Sequence, residues 1–390
     1  MKRVIFGVIM IALIAGNQSA EACGAFFVST EETQLADMSD QRVLLIYSDE
    51  GIVHHLVQVA YEGKPSSFAW VYPFPAQPEI AEASESIFSQ LDSLTRPNFT
   101  ITTDYGSDDE GGGCIGCLPG AAMGSKEGYM DASADTPVTV WNTGQVGIFD
   151  YAIITAVTVD DMLNWLNDNG YNAPSSANSV LEHYVQLGWY FVAMKINAES
   201  VSTMTSKTSV LRFTYPYSSM VYPLYMSSIS SSSNVGVIIY VVAGHRIQTS
   251  SSGTYVTREI PRNEVKATSS NSTNYDELFS KIINDAGGRA FITEYATDEI
   301  EELLRSNDLL PYTDMNLFLT RLRTNMRPSL MDNDVIFSFA PSDEELNSSF
   351  HLYYPPKEDA GVGYILPLFL LLSFFFFLAK IASHLLNLKK

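Results

Sequence analysis

Apolar positions along this chain recur with period two in several short runs and with the period of a helix in others. Residues 42–47 and 52–61 read as β-strands joined by Ser48-Asp49-Glu50-Gly51, a hairpin turn signal. Residues 68–72 read as a third strand, stopped by Pro73 and Pro75. Ile80, Ile87, Phe88, Leu91 and Leu94 fall on one helical face, and 98–103 is extended. From 104 to 133 Gly, Asp and Ser dominate and periodicity is lost, which predicts a long loop. Strands follow at 137–141 and 149–157. Asp160 or Asp161 is placed to cap a helix ending at Gly170, and Asn178 a second with Val180, Leu181, Tyr184 and Val185 inward and Gly188 closing it. Residues 189–196, 209–215 and 235–243 are strand-like, the last continuously apolar as a buried central strand should be. Beyond Thr268 helices are predicted at 275–286, at a capping box formed by Asp298 and Glu301, and at 313–326; 335–340 is the last expected strand. The sum is an α+β fold with a mainly antiparallel or mixed sheet and packed helices, without a fixed-period repeat.

The two ends change the picture. Met1-Lys2-Arg3 followed by the apolar run 4–15 reads as a secretory signal peptide over 1–22, with Ala20 and Ala22 suiting cleavage before Cys23. Glu21 stands where a lipobox needs a small residue, which argues against lipidation of Cys23. Residues 361–379 carry no charge. At about 1.5 Å per residue such a helix spans roughly 28 Å, close to a bilayer's hydrocarbon thickness. Glu358 and Asp359 precede it, and Lys380, Lys389 and Lys390 follow. The positive-inside rule then places the tail 380–390 in the cytoplasm and the rest in the periplasm or outside. A sorting tail removed after export is the competing reading of the same segment. The expected organisation is an ectodomain over 23–340 (with a possible subdivision near 200–270), a juxtamembrane linker over 341–360 and one C-terminal transmembrane helix.

Aromatic residues make up 12% of the chain, enough to build a substantial core. The formal net charge is −21; between residues 23 and 360 it is −25, from 18 basic and 43 acidic residues. An ectodomain so acidic is not expected to bind nucleic acid, whose phosphates demand a basic face.

Cys23-Gly24-Ala25-Phe26-Phe27, with Gln41-Arg42-Val43 and Phe68-Ala69-Trp70-Val71-Tyr72-Pro73-Phe74-Pro75, resembles the bacterial family catalogued as domain of unknown function 2330. Trp165-Leu166, Gly170-Tyr171, the run 189–195, Leu319-Thr320-Arg321-Leu322, Met331 and Asp334 fit the same order, so the resemblance covers most of 23–340. It implies an exported bacterial protein, often with a C-terminal membrane segment, and no established activity or catalytic residues. The family often has a second cysteine directly after Phe-Phe; here Val28 stands there.

Candidate chemistry is sparse. Cys114-Ile115-Gly116-Cys117 lies between Gly111-Gly112-Gly113 and Leu118-Pro119-Gly120, a setting that suits a structural disulfide, within the pair or to Cys23, better than a redox CxxC at a helix N-terminus. A zinc site would need two further ligands, and no second CxxC or HxxxH exists. Asp104, Asp108, Asp109 and Glu110 are candidate calcium ligands, although their spacing is not that of an EF-hand loop; no other cofactor is expected. His54 and His55 on one strand point to opposite faces and cannot share a metal. His245-Arg246, after the central strand, is a candidate binding pair. Trp70 and Tyr72 are candidates for a stacking platform, against the commoner use of such residues in a core. Motifs of serine hydrolases, zincins, P-loop and Rossmann proteins are missing. The expectation is a membrane-anchored envelope protein whose ectodomain is a non-catalytic binding or assembly module with a protein partner. The alternative is an envelope enzyme, thiol-active through Cys114 and Cys117 or an unrecognised hydrolase.

Overall fold

The computed structural model describes residues 20–21, 25–29, 38–61, 68–103, 137–197, 207–229, 234–309 and 316–355. The chain divides into two units. The larger comprises 1–98, 117–265 and 274–350, and the smaller 99–116, 266–273 and 351–390.

In the larger unit, among the described residues, a nine-stranded sheet runs in the order Val256–Glu259, Ala290–Thr297, Phe318–Met326, Val235–Ala243, Met38–Tyr47, Ile52–Tyr61, Lys207–Pro216 and Glu79–Glu82, with Ala20–Glu21 beside Met38–Tyr47. Val235–Ala243 runs parallel to Met38–Tyr47, and Val256–Glu259 parallel to Ala290–Thr297; the other pairs on this path are antiparallel. A six-stranded antiparallel sheet follows the order Tyr171–Asn172, Ala25–Ser29, Phe68–Phe74, Tyr190–Ile196, Phe149–Ala156 and Val138–Val146.

The two sheets face each other, and side-chain parity shows it. Val43, Leu45, Val237, Ile239, Leu211 and Phe213 of the large sheet share one core with Trp70, Tyr72, Phe74, Phe149, Ile153, Val192 and Met194 of the other. The alternate residues Leu44, Ile46, Leu56, Tyr240 and Val242 pack outward against the helices Ile87–Thr95 and Glu301–Ser306. On the six-stranded sheet Val71, Ile154, Phe191 and Ala193 pack against the helices Val159–Asp168 and Ala177–Gln186. The result is four layers, helix–sheet–sheet–helix, in which the middle strands bury both faces and therefore read as unbroken apolar runs. This is the α+β, mixed-sheet class read from the sequence.

Several predicted elements are corrected. The helix expected over 313–326 is not formed by its described residues, 316–326: Phe318–Met326 is a strand between Ala290–Thr297 and Val235–Ala243. Its alternation is masked because polar Thr320, Arg321 and Thr324 are buried beside Leu319 and Leu322. Ile80 belongs to the edge strand Glu79–Glu82 rather than to a helix face, and Leu94 stays 38% exposed. Thr158, not Asp160 or Asp161, is the N-cap of Val159–Asp168, and Asp161 closes its capping box three residues on. Ala177–Gln186 starts after Ser176 without a side-chain cap, and the box expected from Asp298 and Glu301 does not form at Glu301–Ser306. Ala290–Thr297 and Ser349–Tyr353 are strands the periodicity did not reveal. Among the described residues no helix is long and apolar enough to cross a membrane; residues 361–379 lie outside them, as does all of 1–22 except the pair Ala20–Glu21.

Arg321 explains how a charged residue sits on an interior strand. Its Nε donates to Glu294 Oε2 at 2.9 Å, and its Nη1 to Thr95 Oγ1 at 2.8 Å, Asp92 Oδ1 at 3.2 Å and the Tyr240 hydroxyl at 3.2 Å. Glu294 Oε1 also accepts from Tyr275 at 3.1 Å and from Arg323 at 3.2 Å. Removing one member of such a buried set strands the other's charge. Arg321→Met should therefore cost about 3–5 kcal/mol in equilibrium chemical unfolding, whereas Arg305→Met, which breaks an exposed pair with Glu301, should cost about 0.5 kcal/mol or less.

Candidate functional site

Besides the Arg321 set, two polar clusters among the described residues of the larger unit bear on chemistry. The first is closed. His55 is fully buried between the sheets, because its strand parity turns it inward with Val53 and Val57. Its Nε2 lies 3.1 Å from the Tyr72 hydroxyl and its Nδ1 3.3 Å from the Tyr215 hydroxyl. A neutral imidazole can donate to one tyrosine and accept from the other, so both ring nitrogens are satisfied. Burial drives the His55 pKa down to about 3. Next to it, Gln41 Oε1 accepts from Tyr222 at 2.7 Å and from Ser227 at 2.9 Å. His54 faces the opposite side and hydrogen-bonds Thr214 at 3.1 Å; burial first, then Arg212, bring its pKa down to about 4.

The second cluster reaches the surface. It forms where the helix Ala177–Gln186, the 3-10 turn Leu224–Ile229 and the residue before the strand Val335–Phe339 meet. The apolar stripe Val180, Leu181, Tyr184 seats the helix on the sheet, which aims the Tyr184 hydroxyl at Asp334. Asp334 Oδ1 accepts from Tyr184 at 2.6 Å and from the Tyr225 backbone N–H at 3.1 Å, while the Tyr184 hydroxyl accepts from the Met226 N–H at 3.2 Å. His183 Nε2 stands 4.0 Å from Asp334 Oδ2, with its side chain 40% exposed against 10% for Asp334. The His183 ring meets Tyr184 and Tyr225 edge-on at centroid distances of 5.0 and 5.4 Å. Burial raises the Asp334 pKa to about 6 against the pull of its two hydrogen bonds, and burial lowers that of His183. A carboxylate that ionises near neutral pH, with one oxygen fixed and the other beside the half-exposed His183, can hold a cation or exchange a proton.

The residues singled out from sequence are dispersed. Trp70 and Tyr72 are fully buried in the inter-sheet core, so neither offers a ring face to solvent, and the stacking platform is not formed. His245 is exposed and its Nδ1 lies 2.8 Å from Asp343 Oδ2. Arg246 is buried, ion-paired with Glu259 and donating to the Glu344 carbonyl at 2.9 Å, so its guanidinium serves the fold. Cys23, Cys114, Cys117, Asp104, Asp108, Asp109 and Glu110 lie outside the described residues. Among the described residues no group of three His, Cys, Asp or Glu side chains is placed to hold a metal ion. Sequence reasoning did not assign a role to His183, Tyr184 or Asp334. The inward stripe of the helix was legible, but the junction joins residues about 150 positions apart.

A family model described as an uncharacterized protein conserved in bacteria, DUF2330, matches residues 17–338, which agrees with the resemblance read from the motifs. No curated protein matches the chain. Among solved structures, a mutated baculovirus P35 after caspase cleavage is 10% identical, with 79% of this chain and 100% of that chain covered and a TM-score of 0.31. A second structure of baculovirus P35 is 12% identical over 54% of this chain and 65% of that one, with a TM-score of 0.27. Likeness at these scores carries no weight for fold or function.

The two clusters predict opposite pH dependences. His55 has a depressed folded pKa, so its contribution to stability is complete above about pH 6.5 and is lost as pH falls towards 3. Two pH units of that window correspond to about 2–3 kcal/mol; thermal or chemical unfolding should show the loss between pH 6.5 and 4.5, and His55→Phe should remove its share, leaving the part due to His54. Asp334 has a raised folded pKa, so its contribution is complete below about pH 4 and is lost as pH rises through 6. Asp334→Asn should accordingly gain stability relative to the wild type as pH rises from 4 to 8, measured by the same unfolding series.

Proposed function

We propose, from the premise that this chain belongs to the DUF2330 family of uncharacterised proteins conserved in bacteria, that it is an exported envelope protein held by a C-terminal membrane helix. Its ectodomain binds or assembles with another envelope component and does no chemistry. The observation that carries this reading is charge: 18 basic against 43 acidic residues between positions 23 and 360. Such an excess favours basic surfaces as partners and speeds their encounter. Two features support it. The signal-like N-terminus and the uncharged run 361–379, flanked by acid before and base after, suit an anchor with the ectodomain outside the cytoplasm. The buried polar groups around His55 and Arg321 are engaged with one another, which suits a rigid display scaffold.

Fractionation tests the anchor: the full chain should stay with membranes through a high-salt wash and be cleaved by protease added from outside, and deletion of 361–390 should release it. Release of the intact chain by salt alone would refute the anchor. The binding reading is tested on the anchored protein in detergent. A stoichiometric complex with one envelope protein, dissociating between low and high ionic strength, is the expected result. Cycling of Cys114 and Cys117 between thiol and disulfide with a physiological oxidant, and no such complex, would replace it with the thiol-enzyme reading.

A further inference from the structure

We propose that Asp334, flanked by the rings of His183 and Tyr225, is a receiving site for a lysine side chain of a protein partner. This rests on the binding reading above and names the chemistry by which that binding is made.

The carboxylate is mostly buried, and its two oxygens are not equivalent. Oδ1 is saturated by the Tyr184 hydroxyl at 2.6 Å and the Tyr225 N–H at 3.1 Å. Oδ2 faces His183 Nε2 at 4.0 Å, beyond hydrogen-bond reach. His183 is the one basic group of the described residues within 4.0 Å of Asp334, and burial disfavours its charged form. The neighbouring cation, Arg289, is spent on Asp332, with Nη1 to Oδ1 at 2.6 Å and Nη2 to Oδ2 at 2.7 Å. A buried carboxylate without a cation is costly, and here the cost is visible as a pKa raised to about 6 by burial. At neutral pH the group is charged and uncompensated, with one oxygen free.

That geometry selects among cations. Arginine binds carboxylates best through a fork that needs both oxygens, and Oδ1 is already taken twice. An ammonium is a point charge that needs one acceptor, and Oδ2 supplies one beside a His183 ring held edge-on against Tyr225. The helix bearing His183 carries Glu182 and no Lys or Arg, so no cation on it opposes a basic segment. Leu187, just past the end of that helix, is 52% exposed, and Ile336, two residues beyond Asp334, is 46% exposed, so both adjoining stretches of chain carry exposed apolar surface.

The test uses the full chain in detergent micelles, titrated at pH 7.5 by NMR with N-acetyl-lysine N-methylamide and with the matching arginine and norleucine amides. The expected order is lysine over arginine by about fivefold, with norleucine not bound. Lysine affinity should fall about tenfold from pH 7.5 to pH 5 as Asp334 protonates. Asp334→Asn keeps the Oδ1 contacts and should weaken lysine binding at least tenfold with an unchanged near-ultraviolet spectrum, and Tyr225→Ala should weaken it about threefold. Should Asp334→Asn lose its native spectrum, Tyr225→Ala and the pH titration of the wild type decide. Equal binding of lysine and norleucine, an arginine preference, or pH-independent affinity overturns the site. If the partner complex persists unchanged in Asp334→Asn, the lysine site falls and the binding reading stands; if lysine binds as expected and no complex exists, the binding reading falls instead.

Discussion

The middle strands of the large sheet bury both faces, and the rest of the larger unit follows from that constraint. Val43, Leu45 and Tyr47 face the second sheet while Leu44 and Ile46 face helices. One residue of slip would exchange these sets, bringing Gln41 and His55 towards the helices and the helix-facing residues into the inter-sheet core. The register is thus fixed from both sides, and the second sheet and two layers of helices are required to cover what the first exposes.

An unsatisfied polar group is costly in such a frame, and most of the polar residues it contains are matched by partners on other elements, although Gln41 Nε2 and Thr293 Oγ1 are buried without one. His55 is held between two tyrosines, and Arg321 lies among Glu294, Asp92, Thr95 and Tyr240. Asp334 differs because its junction stands at the margin of the fold. Tyr184 and Tyr225 fix one oxygen, and the other is left facing His183 across a gap no hydrogen bond spans. The same burial that keeps His55 neutral leaves the Asp334 carboxylate mostly buried without a cation bonded to it.

How much of this was legible in the sequence follows from the same physics. Strands with a clear apolar pattern, such as Ile52–Tyr61 and Val235–Ala243, were readable, as were the helices whose inward stripe includes Tyr184 or ends at a glycine pair. Gly170 and Gly188, at φ of 75° and 69°, close their helices in the left-handed conformation their positions suggested. Phe318–Met326 was misread because its interior polar residues are matched by Glu294, Asp92 and a threonine from distant segments, which local periodicity cannot see. The candidate site was hidden for the same reason: nothing near Asp334 in sequence points to Tyr184. Trp70 and Tyr72 show the converse error, since an aromatic run suggests a platform until the second sheet is known to cover it.

The frame depends most directly on Phe318–Met326 being an interior strand. Amide hydrogen exchange on the native protein tests this. If the frame is as described, the amides that bond this segment to Val235–Ala243 and Ala290–Thr297 exchange as slowly as those of Val235–Ala243 itself, through global unfolding alone. Exchange of 318–326 by local opening, orders of magnitude faster than that of 235–243, would contradict it.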